Sequence, residues 1–499
     1  MTFNKAKIVH VLFMFIILSG LGYYLFPRGN QIYKSFENWR RYSSYAMPGF
    51  LKNPDANMKE NPAESVPILM YHGIVKNKDG NNTTRSVFTA QMEMLKYEGY
   101  RTITIADYNN YRKGVFKLPP KPIIITFDDG RKDSFYPVDK IFKELDFRGA
   151  IFVATEKANA DDRFYLGWDE LAVLRDSGRW EIEAHGRNSH REIPTSATST
   201  GRFLAARVWD KTRGLESIEE FRRRVEKDYM DGISDIKNNL GVTPKYLAVP
   251  LNDYGASLKE TNYPESLQLN RELTERYFEL AFVETAHNSE TNLPLETFYN
   301  FADSNPYELK RLEVRNLSPK NLLSALKRFE DRKPAFKLAS GEKLAREVFL
   351  RYGNSSLQNG NFILFTKNGA RSVRATFGDR DWINYSAEIS LSFADNTNAS
   401  VLARYTDEDN YISLDFYGKY ATLKEVSGGR IKALAEKTFT RGNAVIIKVR
   451  VDNGLVSAYI NDAPIAVNAP IKSERGSVGI SAWGENSSVI INYLNVNSS

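Results

Sequence analysis

The sequence has no cysteine and only five histidines among its 499 residues. The absence of cysteine excludes disulfides, cysteine-bound zinc, iron–sulfur clusters and thiol nucleophiles. A metal ion would therefore have to be bound by nitrogen and oxygen atoms. The sequence also lacks a large excess of one charge: 68 basic and 61 acidic side chains give a net charge of +7, and the two signs are interleaved. We therefore predict no nucleic-acid partner.

One apolar run near the N-terminus, residues 8–26, carries no formal charge. As a helix it would span about 28 Å, close to the thickness of a bilayer core. A cleaved signal peptide is the alternative, but aromatic residues at the end of the run favour a retained helix. We expect a single-pass membrane anchor at 1–30 and a stalk at 31–62. The body, residues 27–499, is expected outside the cytoplasmic membrane, although the flanking basic residues do not favour this orientation.

The remaining chain divides into two regions with different patterns. Between residues 63 and 335, short apolar runs alternate with amphipathic segments, which predicts an α/β domain with a distorted (β/α) barrel. Between residues 340 and 499, closely spaced strands of alternating hydrophobicity predict an all-β jelly-roll sandwich. In the first region, the predicted strands are 66–75, 101–105, 121–130, 149–155, 180–185 and 245–250, and the predicted helices are 88–100, 106–114, 133–146, 168–178 and 216–241.

Two adjacent carboxylates follow the strongest predicted strand, where the chain reads Asp128, Asp129 and Gly130. An Asp-Gly pair is common in simple turns, and that interpretation stays open for this segment alone. However, adjacent carboxylates repel each other and are stabilised by a cation or by hydrogen-bond donors. Strand ends of this kind are also where α/β barrels build their active sites.

Two histidines, His185 and His190, follow another predicted strand. On a helix, residues five apart point about 140° away from each other and could not bind one ion. On a loop bent at Gly186 they could converge. Together with an aspartate they would supply three ligands and leave positions open, which is typical of a catalytic divalent metal.

These segments resemble the NodB-type polysaccharide deacetylases, which are metal-dependent carbohydrate esterases. The resemblance covers roughly residues 66–315 and is most specific at TFDDG (126–130) and at the histidine pair (185–190). The wide histidine spacing and PILMYH (67–72) resemble the subgroup that deacetylates poly-N-acetylglucosamine, whose fold is a circularly permuted version of the family's. KYLAVPLNDYG (245–255) matches the segment that carries the family's oxyanion donor.

The resemblance implies a role for each matching residue. A divalent metal, with Zn²⁺ favoured and Co²⁺ or Ni²⁺ as alternatives, would be bound by Asp129, His185 and His190. Asp128 would be the general base and His72 the general acid. Pro250 and Leu251 would form the substrate and oxyanion segment.

The chain departs from the family pattern at this last segment. Leu251 stands where the family has a tyrosine, and three residues, 252–254, are inserted before Gly255. A main-chain N–H does not depend on the side chain, so we expect the donor to survive while stacking on the substrate is lost. His287 is expected to be a surface or loop residue, with replacement of His72 as the acid as the alternative.

The resemblance implies an enzyme that removes N-acetyl groups from an N-acetylhexosamine polysaccharide. An exopolysaccharide of the poly-N-acetylglucosamine type, as in biofilms, is the favoured substrate, and peptidoglycan is an alternative. The other alternative is an inactive, membrane-tethered glycan-binding or scaffold protein. The sequence does not indicate an oligomeric state.

The second region loosely resembles the laminin-G or concanavalin-like sandwiches that accompany carbohydrate enzymes. In strands of this kind, aromatic residues belong to the core more often than they form a platform for a sugar ring. We nevertheless predict that this region contacts a glycan through some of its aromatic residues. The candidates are Trp382, Tyr385, Tyr405, Tyr411, Phe416, Tyr417, Tyr420 and Trp483.

Overall fold

The computed structural model describes residues 62–498, apart from 161, 256–260, 288–292, 331–335, 367–370, 381, 394–396, 441 and 443. The predicted anchor at 8–26 and almost all of the stalk lie outside these residues. Within the described part of the chain, no helix has both the length and the apolar character needed to cross a membrane.

Among the described residues, the first region contains fifteen strands, and helices occur in both regions. The strands are β1 (Ser65–Tyr71), β2 (Ile74–Val75), β3 (Thr83–Thr84), β4 (Arg101–Thr102), β5 (Pro122–Phe127), β6 (Gly149–Val153), β7 (Trp180–Ala184), β8 (Glu192–Pro194), β9 (Thr200–Arg202), β10 (Trp209–Asp210), β11 (Gly214–Leu215), β12 (Tyr246–Ala248), β13 (Leu280–Glu284), β14 (Tyr299–Phe301) and β15 (Leu309–Glu313). The helices are α1 (Arg85–Tyr97), α2 (Ile105–Arg112), α3 (Lys132–Phe135), α4 (Asp139–Leu145), α5 (Thr155–Asn159), α6 (Trp168–Asp176), α7 (Ile218–Leu240), α8 (Ser266–Tyr277), α9 (Pro319–Phe329) and α10 (Gly341–Glu347), with a 3₁₀ turn at Pro250–Asn252.

Seven parallel strands of this region close into a barrel. Their order is β1-β15-β13-β12-β7-β6-β5, and β5 pairs again with β1. All residues of β1 and β5 are buried, as expected for strands covered on both faces. The barrel confirms the predicted α/β architecture, and closure brings the carboxyl ends of all seven strands to one mouth.

The longest helix, α7, packs on the outside of the barrel between α6 and α8. Ser217 and Glu220 form a reciprocal capping box at its start, and it ends at Gly241, whose φ is 70°. The capping box starts the helix because the N-cap hydroxyl satisfies a free N–H group, and Gly241 ends it because glycine accepts a left-handed conformation. The helix buries one face, including Phe221 and Val225, and leaves its charged face to solvent.

Two predicted elements are interrupted in the structure. The single helix predicted at 133–146 is wrong: it is two short helices, α3 and α4, with Pro137 between them. Proline lacks the N–H that would continue the helical hydrogen-bond pattern. The strand predicted at 66–75 ends at Tyr71, so His72 leaves the sheet at the barrel mouth.

The second region contains two antiparallel sheets that enclose a separate apolar core. One sheet has the order β18-β19-β30-β21-β26-β27-β28 with β16 beside β30, and the other has the order β17-β20-β29-β22-β23-β24-β25. Their bounds are β16 (Phe336–Leu338), β17 (Phe349–Tyr352), β18 (Asn354–Gln358), β19 (Asn361–Phe365), β20 (Ser372–Phe377), β21 (Tyr385–Phe393), β22 (Asn398–Asp407), β23 (Asn410–Tyr417), β24 (Tyr420–Ser427), β25 (Arg430–Thr438), β26 (Val445–Asp452), β27 (Leu455–Ile460), β28 (Ala463–Pro470), β29 (Ser477–Trp483) and β30 (Ser488–Ser498).

Half of the eight sandwich aromatics named above are buried. These are Trp382, Tyr385, Tyr405 and Phe416. Burial makes Tyr385, Tyr405 and Phe416 unavailable as sugar platforms, whereas Trp382 lines a pocket. Tyr417 and Tyr420, at the turn between β23 and β24, are exposed.

Ion pairs join the sandwich to the barrel domain. Arg380 donates to the buried Glu296 at 2.8 Å. Arg475 donates to the buried Glu308 at 2.5 Å, and Arg271 of α8 contacts the same carboxylate. Both glutamates come from the barrel domain, so its acidic groups are neutralised partly by arginines of the sandwich.

Candidate active site

The predicted site residues converge at the mouth of the barrel. A pocket of about 380 Å³ opens there, between residues that follow six of the seven barrel strands. Its lining residues are His72, Asp128, Asp129, Ala154, Lys157, Tyr165, His185, His190, Leu251 and Glu284. The structure therefore brings together side chains that are more than two hundred residues apart in the sequence.

The three predicted metal ligands lie side by side. One ligand atom from each of Asp129, His185 and His190 lies within 4.8 Å of the others. His185 Nε2 is 3.8 Å and His190 Nε2 is 3.5 Å from Asp129 Oδ1. The chain bends at Gly186, whose φ is 67°, and this bend directs the two imidazoles to one point.

The hydrogen-bonding state of the two histidines indicates whether Asp129, His185 and His190 could bind a cation. His185 Nδ1 lies 2.8 Å from the carbonyl oxygen of Ala248, so the Nδ1–H donates there and Nε2 keeps its lone pair. Both ring nitrogens of His190 are buried without a hydrogen-bond partner in the described chain. Burial, followed by the charge of His185, lowers the pKa of His190 well below its usual range. Two imidazoles beside a carboxylate are a donor set that fits a divalent metal.

A buried carboxylate of α7 holds the loop that carries His190. Asp228 accepts hydrogen bonds from Arg187 N at 3.0 Å, Asn188 N at 2.6 Å and Ser189 Oγ at 2.9 Å. A Cβ atom at Gly186 would lie 1.9 Å from Ser189 Oγ, so a larger residue would disrupt the loop. The histidine position is thus fixed by the barrel's outer helix as well as by its own strand.

Asp128 makes a bidentate ion pair with Arg311 of β15. The two guanidinium nitrogens donate to its carboxylate oxygens at 2.6 and 2.7 Å, and the arginine is completely buried. Burial alone would raise the pKa of Asp128, but the charge of Arg311, the nearby His185 and the hydrogen bonds from Arg311 lower the pKa to about 2. Asp128 is therefore an anion at every ordinary pH and can accept a proton.

His72 is paired with a different carboxylate. Its Nδ1 lies 3.4 Å from Glu313 Oε1, and Arg315 contacts the other oxygen of Glu313 at 2.7 Å. Burial lowers the pKa of His72, but the hydrogen bond to Glu313 and the charges of the site's carboxylates outweigh it and raise the pKa to about 9. His72 is therefore an imidazolium near neutral pH and can donate a proton.

The segment at Pro250 and Leu251 forms a tight turn after β12. Leu251 has a φ of 56°, and its side chain is 40% exposed and lines the pocket. Pro250 is buried and lies outside the lining, and proline has no N–H to donate. Of the two residues, only Leu251 can therefore supply a main-chain donor.

The opposite rim of the pocket contains an aromatic residue, Tyr165. Its segment is tied to the turn after Asp129, because Lys132 N donates to Phe164 O at 2.9 Å and Leu166 N donates to Gly130 O at 2.8 Å. The ammonium of Lys157 lies 5.4 Å from the centre of the Tyr165 ring. These contacts fix one aromatic face beside the predicted metal ligands.

Sequence reasoning missed five residues of this neighbourhood: Lys157, Tyr165, Glu284, Arg311 and Glu313. Two of them had a detectable signal, since Arg311 and Glu313 are two residues apart on one strand and so lie on one face. Glu284 also ends an apolar run, as the two aspartates do. For Lys157 and Tyr165 the sequence gives no periodic signal. His287 is half-buried beside Pro294 and is not among the lining residues.

Part of the chain is similar to known proteins. Residues 117–263 match the family model described as polysaccharide deacetylase. The poly-beta-1,6-N-acetyl-D-glucosamine N-deacetylase of Escherichia coli (strain K12) is 25% identical over 187 residues, which is 34% of this chain and 27% of that protein. The chain therefore spans about a quarter of the length of this curated relative.

Two solved structures each align with about half of the chain. A de-N-acetylase from Aggregatibacter actinomycetemcomitans has 16% identity and a TM-score of 0.43, covering 53% of this chain and 99% of its own. The deacetylase domain of BpsB from Bordetella bronchiseptica has 20% identity and a TM-score of 0.42, covering 53% and 100%. The match to the polysaccharide deacetylase family thus lies within the barrel domain, at residues 117–263.

Proposed function

We propose that the protein is a metal-dependent hydrolase that removes N-acetyl groups from an N-acetylhexosamine polysaccharide. An exopolysaccharide of the poly-N-acetylglucosamine type is the favoured substrate, since the Escherichia coli relative is named for this polymer. The observation that carries the proposal is the group of Asp129, His185 and His190 beside a separate carboxylate, Asp128.

The chemistry follows from the protonation states of the site. Asp129, His185 and His190 would hold a divalent cation, Zn²⁺ or else Co²⁺ or Ni²⁺, which when bound supplies Lewis-acid activation of water and of a carbonyl group. Asp128 is charged and can accept a proton from the attacking water. The Leu251 N–H can donate to the oxygen on which negative charge develops.

His72 completes the reaction on the leaving-group side. An amine is a poor leaving group unless it is protonated, and the imidazolium of His72 can deliver that proton to the sugar nitrogen. The C–N bond of the acetamide then breaks, and the products are acetate and a sugar unit with a free amine.

Acetate release across a panel of glycans tests this function. We expect release from an N-acetylated β-1,6-linked glucosamine oligomer, loss of release after treatment with a chelator, and recovery when Zn²⁺ is restored. Chitin oligomers and peptidoglycan fragments in the same panel distinguish the alternative substrates. A metal-loaded protein that released acetate from none of them would contradict the proposal.

Glu313→Gln should move the pH dependence of turnover. Removing the carboxylate beside His72 lowers the pKa of the imidazolium, so the proton donor is lost at a lower pH. We expect the alkaline limb of the kcat profile to shift downward by about one pH unit. Glu226→Gln, which removes a surface partner of Arg276, should leave the profile unchanged. An unmoved limb in Glu313→Gln would show that His72 is not the group that titrates there.

Tyr165→Ala should weaken substrate binding more than catalysis. Leu251 offers no aromatic face, whereas the Tyr165 ring lines the pocket and can pack against a sugar ring. We expect KM to rise about tenfold with a smaller change in kcat. Tyr165→Phe keeps the ring and should stay near the wild-type KM. An equal rise in KM for both variants would assign the effect to the hydroxyl group instead.

We also propose that residues 8–26 anchor the protein in the cytoplasmic membrane with its body on the outer side. The support is the length and apolar character of this run. Protease added to intact spheroplasts should then degrade the body, and full protection until lysis would contradict the orientation.

A further inference from the structure

Glu284 is a pocket carboxyl group that the proposed chemistry does not use. It is the last residue of β13 and lines the pocket, and its side chain makes no hydrogen bond or ion pair in the described part of the chain. The other acidic groups of the mouth all have partners: Asp128 pairs with Arg311, Glu313 with His72 and Arg315, and Asp129 with the two histidines. Glu284 is therefore the acidic group left available to a ligand.

The barrel order gives the side of the pocket on which Glu284 lies. Around the closed sheet, β13 is separated by two strands from β5 on one side and by two strands from β6 on the other. Glu284 thus faces Asp129 from across the mouth, and His72 follows a strand between them. A substrate amide whose oxygen faces the Asp129 side would present its nitrogen to the side of His72 and Glu284.

The end of β13 is held in place by the segment that departs from the family pattern. Glu284 N donates to Asn252 Oδ1 at 2.8 Å, and Asn252 itself has a left-handed φ of 51°. The inserted residue thus positions the backbone of Glu284. Burial and then the charge of Glu313 raise the pKa of Glu284 to about 7. A cationic ligand would offset the repulsion between the Glu284 and Glu313 carboxylates, so it would stabilise the charged form of Glu284.

We propose that Glu284 recognises the nitrogen of the reacting sugar. In the substrate its carboxylate accepts the amide N–H, and in the product it binds the ammonium group that hydrolysis creates. This inference rests on the proposed N-deacetylation, because only that reaction converts the neutral nitrogen into a cation at this place. The site would therefore bind a free-amine sugar through charge as well as through shape.

Binding of a short β-1,6-linked glucosamine oligomer with free amines, measured by calorimetry near neutral pH, tests the proposal. Such an oligomer carries no acetyl group, so the metal-loaded protein cannot consume it. Glu284→Gln should weaken its binding about tenfold, as expected for the loss of a charge-assisted hydrogen bond. The KM for the N-acetylated oligomer, obtained from acetate release, should change much less.

Two further variants control this experiment. Glu284→Asp keeps the charge and should retain binding of the amine, which also covers the case in which Glu284→Gln fails to fold. Glu279 lies just before β13, at the end of the strand away from the pocket, where it pairs with Lys113 and Lys245. The variant Glu279→Gln should therefore bind the amine oligomer like wild type. Metal content should equal that of wild type in all three.

The outcomes separate this inference from the proposed function. Equal weakening of amine and acetylated oligomers in Glu284→Gln, or no weakening of either, would overturn the role of Glu284. A wild-type protein that releases no acetate would instead overturn the proposed function, whether or not the amine binds through Glu284.

Discussion

Asp129→Asn is expected to abolish both metal content and acetate release. The amide keeps the size of the side chain but removes the only anion among the three clustered ligand residues. Without it, only the two imidazoles remain, and such a pair binds a divalent cation much more weakly. Metal analysis of the purified variant, together with acetate release at saturating oligomer, measures both effects.

An exposed aspartate offers the matched control for this experiment. Asp176 pairs with Arg175 on the surface of α6, so Asp176→Asn should keep wild-type metal content and activity. If Asp129→Asn retained its metal and released acetate at an undiminished rate, the site as described would not be the catalytic centre.

Asp128→Asn is expected to reduce activity strongly while the metal stays bound. The variant loses the proton acceptor, for which about a hundred- to ten-thousand-fold in turnover is typical. It also leaves the completely buried Arg311 without its anionic partner. Removing one partner of a buried ion pair costs about 3–5 kcal/mol of stability, so the free energy of unfolding should fall by an amount in this range. Metal analysis, acetate release and denaturant unfolding follow the three effects.

A second ion pair with a buried carboxylate separates stability from catalysis. Asp139 is buried and accepts hydrogen bonds from Arg179 at 2.9 to 3.1 Å, away from the pocket. Asp139→Asn should therefore lower stability in a similar way but keep the turnover of the folded protein. Comparable losses of turnover in the two variants would mean that Asp128 acts only through stability.

Much of the barrel domain could be predicted because its elements are encoded locally. The run that becomes β5 is continuously apolar and β-branched, and the segment that becomes α7 carries its own cap residues at both ends. Closure of the sheet into a barrel could not be predicted from such local patterns. It depends on the pairing of β1 with both β5 and β15, and these strands are far apart along the chain.

The candidate site shows the same division. The sequence indicated that His185 and His190 could converge only on a loop, and the bend at Gly186 provides it. The partners that set the charge of the site were not predictable, because a local pattern does not reveal which arginine will face which carboxylate. Arg311 reaches Asp128 only because β15 and β5 both flank β1 in the closed barrel.

Arg380 and Arg475, the sandwich arginines that pair with the barrel domain, affect what happens when the two domains are separated. Burial raises the pKa of Glu308, but Arg475 and Arg271 outweigh it and lower the pKa to about 2. This pairing stabilises the folded chain fully above the carboxyl group's ordinary pKa, and the stabilisation is lost as the pH falls from there to about 2. A barrel cut away from its neighbour would lose Arg475 and would also leave Glu296 without Arg380. The two halves are thus expected to melt in one transition, and the excised catalytic half should tolerate heat less well than the intact chain.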